Sequence, residues 1–189
     1  MSEFQFDAFA VAARLAIALD AAGIRYAIGG AIALGIWAEP RGTYDVDINL
    51  FIDHTGLDSA LDVLAAAGVA VDRAVAHRAD AQGDVIVGRY AGMRIDLFTP
   101  SIPFAWEAAR TARRVMSPLG AMNFLSAEAM AVFKLLFFRP KDLVDLEKLL
   151  AVQRADLDSA YIRRWVAEMM GEDDERVAAW DAMVRRQPT

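Results

Sequence analysis

Residues 45–50 read Asp-Val-Asp-Ile-Asn-Leu, a strict alternation of polar and apolar side chains. Alternation with period two marks a strand that turns one face to a core. Val46, Ile48 and Leu50 fall on the apolar face, and Asp45, Asp47 and Asn49 on the other. Two carboxylates side by side on one strand face repel each other unless a cation stands between them. Hard divalent cations such as magnesium take oxygen ligands of this kind and commonly arrive with a substrate's phosphates. A short strand, Gly29-Gly30, an apolar helix from Ala31 to Trp37 and the loop Glu39-Pro40-Arg41-Gly42 lead into this segment.

The rest of the chain limits what can be built around that strand. Its 189 residues suit one domain, or one domain with a helical appendage. A chain of that length buries roughly 70% of its unfolded surface, so it needs no covalent staples. Cysteine is absent, which excludes disulfides and thiolate zinc sites and points to a reducing cytoplasm. His54 and His77 are the only histidines, too few for a histidine-based metal site. The opening residues are acidic, with no basic n-region, so no signal peptide is expected. The uncharged run Ala27 to Ala38 falls well short of the ~20 residues that cross a bilayer, and no membrane partner is expected. The net charge of −6 argues against a broad electrostatic footprint on nucleic acid. A local basic patch requires Arg110, Arg113, Arg114, Arg139, Lys141, Arg163 and Arg164 to converge; scattered solvated charges are the simpler reading.

Apolar spacing predicts a helix from Asp7 to Ala22, stopped at Gly23, and a strand from Ile24 to Ile28. The acidic strand is expected from Tyr44 to Ile52, a helix from Leu57 to Ala67, and a strand from Val69 to Val75. His77 to Gly83 reads as a polar turn. Asp84–Tyr90 and Met93–Phe98 form a hairpin across Ala91-Gly92, with Arg94, Asp96 and Phe98 on one face of the second arm. A short helix from Phe104 to Ala109 and a strand from Arg113 to Met116 follow. From Ser126 the pattern is helical only: Ala127–Phe138, then Asp142–Val152 after the break at Pro140, Ser159–Met170 and Glu175–Arg186. Trp165 and Trp180 are expected in the core of that helical part.

Four features bear on chemistry, and each alone has a plain structural account. Gly29-Gly30 at a strand–helix junction lets backbone amides approach an anion; it equally makes a tight turn. Asp45 and Asp47 suit a cation, or are solvated acids on an edge strand. Asp96 suits a third ligand, or is a surface acid. Lys134, alone among apolar neighbours, suits a phosphate, or snorkels to solvent.

Taken together in this order, the four resemble the nucleotidyltransferase fold of the DNA polymerase β superfamily. Its signature is Gly-Gly or Gly-Ser, a helix, an acid-x-acid pair and a third acid on a later strand. Here these are Gly29-Gly30, Asp45-Val46-Asp47 and Asp96. The chain is most similar to the AbiEii-type toxin nucleotidyltransferases, which tend to carry Pro-Arg-x-Thr before the acids, a helical Lys, then Arg, Lys-Asp and another Asp. Here these are Pro40-Arg41-Gly42-Thr43, Lys134, Arg139, Lys141-Asp142 and Asp145. The resemblance spans roughly Tyr26 to Leu150 and departs from the family in two respects. Ala31 stands where many relatives place a hydroxyl after the glycines, and the chain leaves little room for a large acceptor-binding domain.

The resemblance implies an α+β fold: a nucleotidyltransferase-like mixed β-sheet packed with helices over residues 1–122, then a C-terminal helical bundle over 123–189. It implies a magnesium-dependent enzyme with a two-metal site on Asp45, Asp47 and Asp96, acting on a nucleoside triphosphate and releasing pyrophosphate. Gly29, Gly30, Arg41, Thr43, Lys134 and Arg139 would face the nucleotide. Asp142 and Asp145 are either site acids or the N-cap and first turn of a helix. The implied acceptor is a hydroxyl of tRNA or protein, with a cognate antitoxin as partner. The acidic balance admits a cationic small molecule such as an aminoglycoside instead. The missing hydroxyl at Ala31 admits a catalytically degenerate domain that only binds a nucleotide or partner.

Overall fold

In the computed structural model, which describes residues 7–186, the acidic strand β2 (Asp45–Leu50) is the central strand of a seven-stranded mixed sheet. The other strands are β1 (Tyr26–Ile28), β3 (Val69–Ala70), β4 (Ile86–Tyr90), β5 (Met93–Phe98), β6 (Arg113–Ser117) and β7 (Gly120–Phe124). They lie in the order β3-β4-β5-β2-β1-β7-β6. β2 pairs antiparallel with β1 and parallel with β5. The alternative of an exposed edge strand is thereby overturned. Val46, Ile48 and Leu50 are fully buried beside Ile95 and Leu97 of β5, while Asp45, Asp47 and Asn49 are half-buried. The acidic opening residues, 1–6, lie outside the described residues.

The helices are α1 (Ala8–Ala21), α2 (Gly30–Trp37), α3 (Leu57–Ala66), α4 (Arg73–Gln82), α5 (Pro103–Thr111), α6 (Ala127–Phe137), α7 (Pro140–Gln153), α8 (Ser159–Met170) and α9 (Glu175–Arg186). Among the described residues none is long and apolar enough to cross a membrane. The chain divides into two compact units. The first takes the chain up to Ile32 and Gly42–Leu125; the second takes Ala33–Arg41 and the chain from Ser126 on.

In the first unit α1 packs on β1, β2 and β7, α3 on β3, and α4 on β4. In the second, α6 packs against α7, α8 and α9, around Leu135, Leu146, Ile162 and Trp180. The Trp180 indole N–H donates to the Ser159 carbonyl at 3.1 Å, so this tryptophan is core. Ala33–Arg41 joins the second unit through its own bonds: Gln153 Nε2 donates to the Trp37 carbonyl, and Arg41 binds Asp145.

Three expectations are corrected. Val69–Val75 is not a strand, and His77–Gly83 is not a turn. The strand stops at Ala70, and α4 fills the rest. Asp72 caps it by accepting the Val75 N–H at 3.0 Å, and Gly83, at φ 70°, closes it. The alanines at 74, 76, 79 and 81 favour helix over the weak alternation of valines. Second, Gly120–Phe124 is a strand that the sequence reading left out. Its pairing with β6 and β1 carries the sheet past residue 122, and the first unit runs to Leu125. Third, α7 begins at Pro140, with Arg139 as N-cap, so Asp142 is the third helical residue. Its carboxylate accepts the Arg139 N–H at 3.2 Å, as the acid of a capping box does.

Candidate active site

The first unit gathers Gly29, Gly30, Thr43, Asp45, Asp47 and Asp96. β2 and β5 run parallel with Asp47 opposite Asp96 and Asp45 opposite Arg94. Residues in register on neighbouring strands share a face and stand roughly 4.8 Å apart along the sheet. The three carboxylates therefore lie on one face at the middle of the sheet. Asp45 accepts a hydrogen bond from the Thr43 hydroxyl. Asp96 accepts one from Arg94 Nε at 2.7 Å, with side-chain exposures of 13% and 44%. The alternation in Ile86–Tyr90 adds Arg89, which pairs in register with Arg94 on the exposed face. That signal was present in the sequence, but only the strand pairing sets Arg89 opposite Arg94, where it donates to the Gly92 carbonyl at 3.1 Å.

The two glycines belong to the same construction. Gly29 is buried, and its N–H donates to the Asp47 carbonyl at 2.9 Å, extending the β1–β2 pairing by one residue. A Cβ there would come within 2.9 Å of Asn49 Nδ2. Gly30 opens α2 at φ 55°, and a Cβ on it would overlap the Asp47 carboxylate. The glycine pair thus makes the space in which the second acid sits. Gly30→Ala is expected to destabilise the protein by about 1–2 kcal/mol through the left-handed backbone alone, and to displace Asp47. Urea unfolding measures the first effect, and divalent-cation titration of the folded variant measures the second. Wild-type values for both would contradict the packing described.

The remaining predicted residues meet in the second unit. Lys134 is 7% exposed and does not snorkel. Its Nζ lies 2.7 Å from Asp145 Oδ2 and 3.5 Å from Asp142 Oδ1. Arg41 holds Asp145 with Nε and an Nη, both at 3.2 Å. Arg139 holds Asp142 through Nε at 2.6 Å and lies over the Phe137 ring. Burial pushes the Asp145 carboxyl up, and the hydrogen bonds from Lys134 and Arg41 more than offset it, holding it below the ordinary carboxylate range. Asp142, the capping-box acid of the first turn of α7, and Asp145 are 1% and 2% exposed, buried against Lys134, Arg139 and Arg41. Of the other arginines, Arg110 pairs with Glu107 and Arg114 with Asp20 in the first unit, and Arg163 with Glu172 and Asp181 in the second.

The acid face suits a hard divalent cation in donor chemistry and strand placement. The side chains are turned to Thr43 and Arg94, and among the described residues no three His, Asp or Glu side chains are gathered at metal-holding distance. Asp45, Asp47 and Asp96 are the side chains of this face that could hold a cation.

The fold defined by this sheet is nucleotidyltransferase-like, and solved structures share it along almost the whole chain. The antibiotic-resistance factor ANT(2'')-Ia matches in its solution structure at TM-score 0.55 and 12% identity, covering 96% of this chain and 100% of that one. An antigenic nucleotidyltransferase-like protein from Paracoccidioides brasiliensis matches at TM-score 0.50 and 18% identity, with 93% of each chain covered. JHP933 from Helicobacter pylori matches at TM-score 0.51 and 12% identity, over 98% and 92%. No family model and no curated protein matches the chain. At these identities the likeness is one of fold.

Proposed function

We propose that the chain is a magnesium-dependent nucleotidyltransferase, with Asp45, Asp47 and Asp96 as its catalytic and metal-holding acids. The observation that carries this reading is the shared face: Asp47 and Asp96 in register, Asp45 beside them, and Gly30 giving Asp47 its space. In the reaction, an acceptor hydroxyl oxygen bonds to the α-phosphorus of a nucleoside triphosphate. The bond from that phosphorus to the bridging oxygen breaks, and pyrophosphate leaves with the electron pair. The hydroxyl proton passes to a carboxylate of the face, Asp96 in the role the family resemblance gives it. Bound magnesium, as one ion or as the pair the resemblance implies, supplies Lewis-acid stabilisation of the attacking and leaving oxygens.

Gly29 and Gly30 offer backbone amides to phosphate, and Thr43 orients Asp45. Of the cations in the second unit, Arg41 and Arg139 are 36% and 51% exposed, while Lys134 is committed to its two aspartates. The AbiEii resemblance supports a hydroxyl of tRNA or protein as acceptor and a toxin role with a cognate antitoxin, and the absence of cysteine supports a cytoplasmic setting. A cationic small-molecule acceptor is the second reading. It is supported by the net charge of −6 and by the fold shared with an antibiotic-resistance factor.

The test incubates the protein with each labelled triphosphate and magnesium, against total tRNA, a protein extract and an aminoglycoside panel. Label should appear in one acceptor class with matching pyrophosphate release, and chelation should abolish it. Magnesium-dependent nucleotide binding without pyrophosphate release from any acceptor would assign a degenerate binding domain instead.

A further inference from the structure

We propose that Arg94 is a built-in counter-cation for the acid face, so that a divalent cation binds there by exchanging with the Arg94 guanidinium. This rests on the reading of Asp45, Asp47 and Asp96 as a cation site. Three observations carry it. Arg94 and Asp96 stand two residues apart on β5 and share its face, joined by an Nε–Oδ1 hydrogen bond of 2.7 Å. Across the sheet Arg94 stands opposite Asp45, and Asp96 opposite Asp47, so the guanidinium neutralises the same face that a metal ion would. The pair is also open on the cationic side, with Arg94 44% exposed.

That exposure decides which cation can leave. A guanidinium in contact with water regains its hydration on release, so an exposed pair holds weakly. Lys134 and Asp145, at 9% and 3%, have no such route and stay paired. Asp96 is the more enclosed partner, at 13%, and retains its need for a positive charge. When the guanidinium swings out, the carboxylate is delivered to the incoming ion in one step. Asp96 thus keeps a cationic partner of its own, and Arg94 sets how much divalent cation the face requires. Arg94 is thus a positioning residue for Asp96.

The test reads Mn2+ binding to the nucleotide-free protein by electron paramagnetic resonance. Arg94→Gln removes the competing charge and should tighten Mn2+ binding about fivefold or more. Arg94→Lys keeps the charge without the planar fork and should tighten it less. Arg89→Gln removes a charge from the same face without touching the Asp96 pair, and should shift binding less than Arg94→Gln. In the wild-type protein, the Arg94 Nε–H resonance should move towards that of a solvated arginine as Mg2+ is added; this holds even if a variant fails to fold. Unchanged or weaker Mn2+ binding in folded Arg94→Gln, with wild-type binding abolished by Asp47→Asn, would overturn the exchange alone. Absence of Mn2+ binding in every variant and in the wild type would overturn the cation site and the exchange together.

Discussion

Lys134→Met is expected to lower the stability of the second unit by about 3 kcal/mol, the lower end of the range for breaking a buried ion pair. The lysine ammonium is the only cation that reaches both Asp142 and Asp145 among the described residues, and both carboxylates are almost fully enclosed. Removing it leaves each acid with one arginine, Arg139 or Arg41, and both arginines are partly in water. Charges taken out of water without full compensation set the size of the loss. The double variant Lys134→Met/Asp145→Leu should recover most of it, because a buried ion pair exchanged for apolar groups of similar volume is close to neutral. Urea unfolding followed by tryptophan fluorescence measures this, since three of the four tryptophans, Trp37, Trp165 and Trp180, belong to the second unit, and Trp106→Phe removes the signal of the first.

The pH dependence follows from the lowered Asp145 pKa. A carboxyl whose folded pKa is depressed contributes stability above its unfolded value of ~3.9, and that contribution is lost as pH falls through the folded value. The gap between wild type and Lys134→Met should therefore be widest near neutrality and close as the solution is made acid. A loss below about 1 kcal/mol at neutral pH would mean that Lys134 carries no structural charge balance.

The part of this molecule legible in the sequence is the part governed by short periods. Alternation over residues 45–50 puts Asp45 and Asp47 on one face, and the same rule puts Arg94 with Asp96. The contact order of the site is not periodic, and no local rule reaches it. That Asp47 stands opposite Asp96, and that Gly30 leaves room for its carboxylate, depends on strand pairing. Arg41 and Asp145 are separated by 104 positions, so neither motif announces the other. Lys134 was legible as an anomaly, a lone cation on an apolar helix, yet its burial depends on where α7 turns Asp142 and Asp145. The misread segment, Val69–Val75, fails for a local reason. One cap at Asp72 outweighs three alternating valines, because β-alternation without a full strand of partners carries little energy.

Asp47→Asn should reduce nucleotidyl transfer by at least ~10^2–10^3-fold, the scale of losing one preorganised electrostatic contact to a transition state. The substitution keeps the shape of the side chain and the backbone bond from Gly29 N–H to the Asp47 carbonyl, so β1 and β2 stay paired. What it removes is the negative charge at the centre of the acid face, where Asp45 and Asp96 are its neighbours in and across the strand. Asparagine can offer one oxygen to a cation but cannot offset its charge. The loss should appear in the turnover number, with the melting temperature held near the wild-type value. Asp58→Asn, an exposed acid paired with Arg73 and His77 on the first unit's surface, serves as the charge-matched control and should leave transfer unchanged. Full transfer by folded Asp47→Asn would remove the carboxylate face from the chemistry, whatever the acceptor.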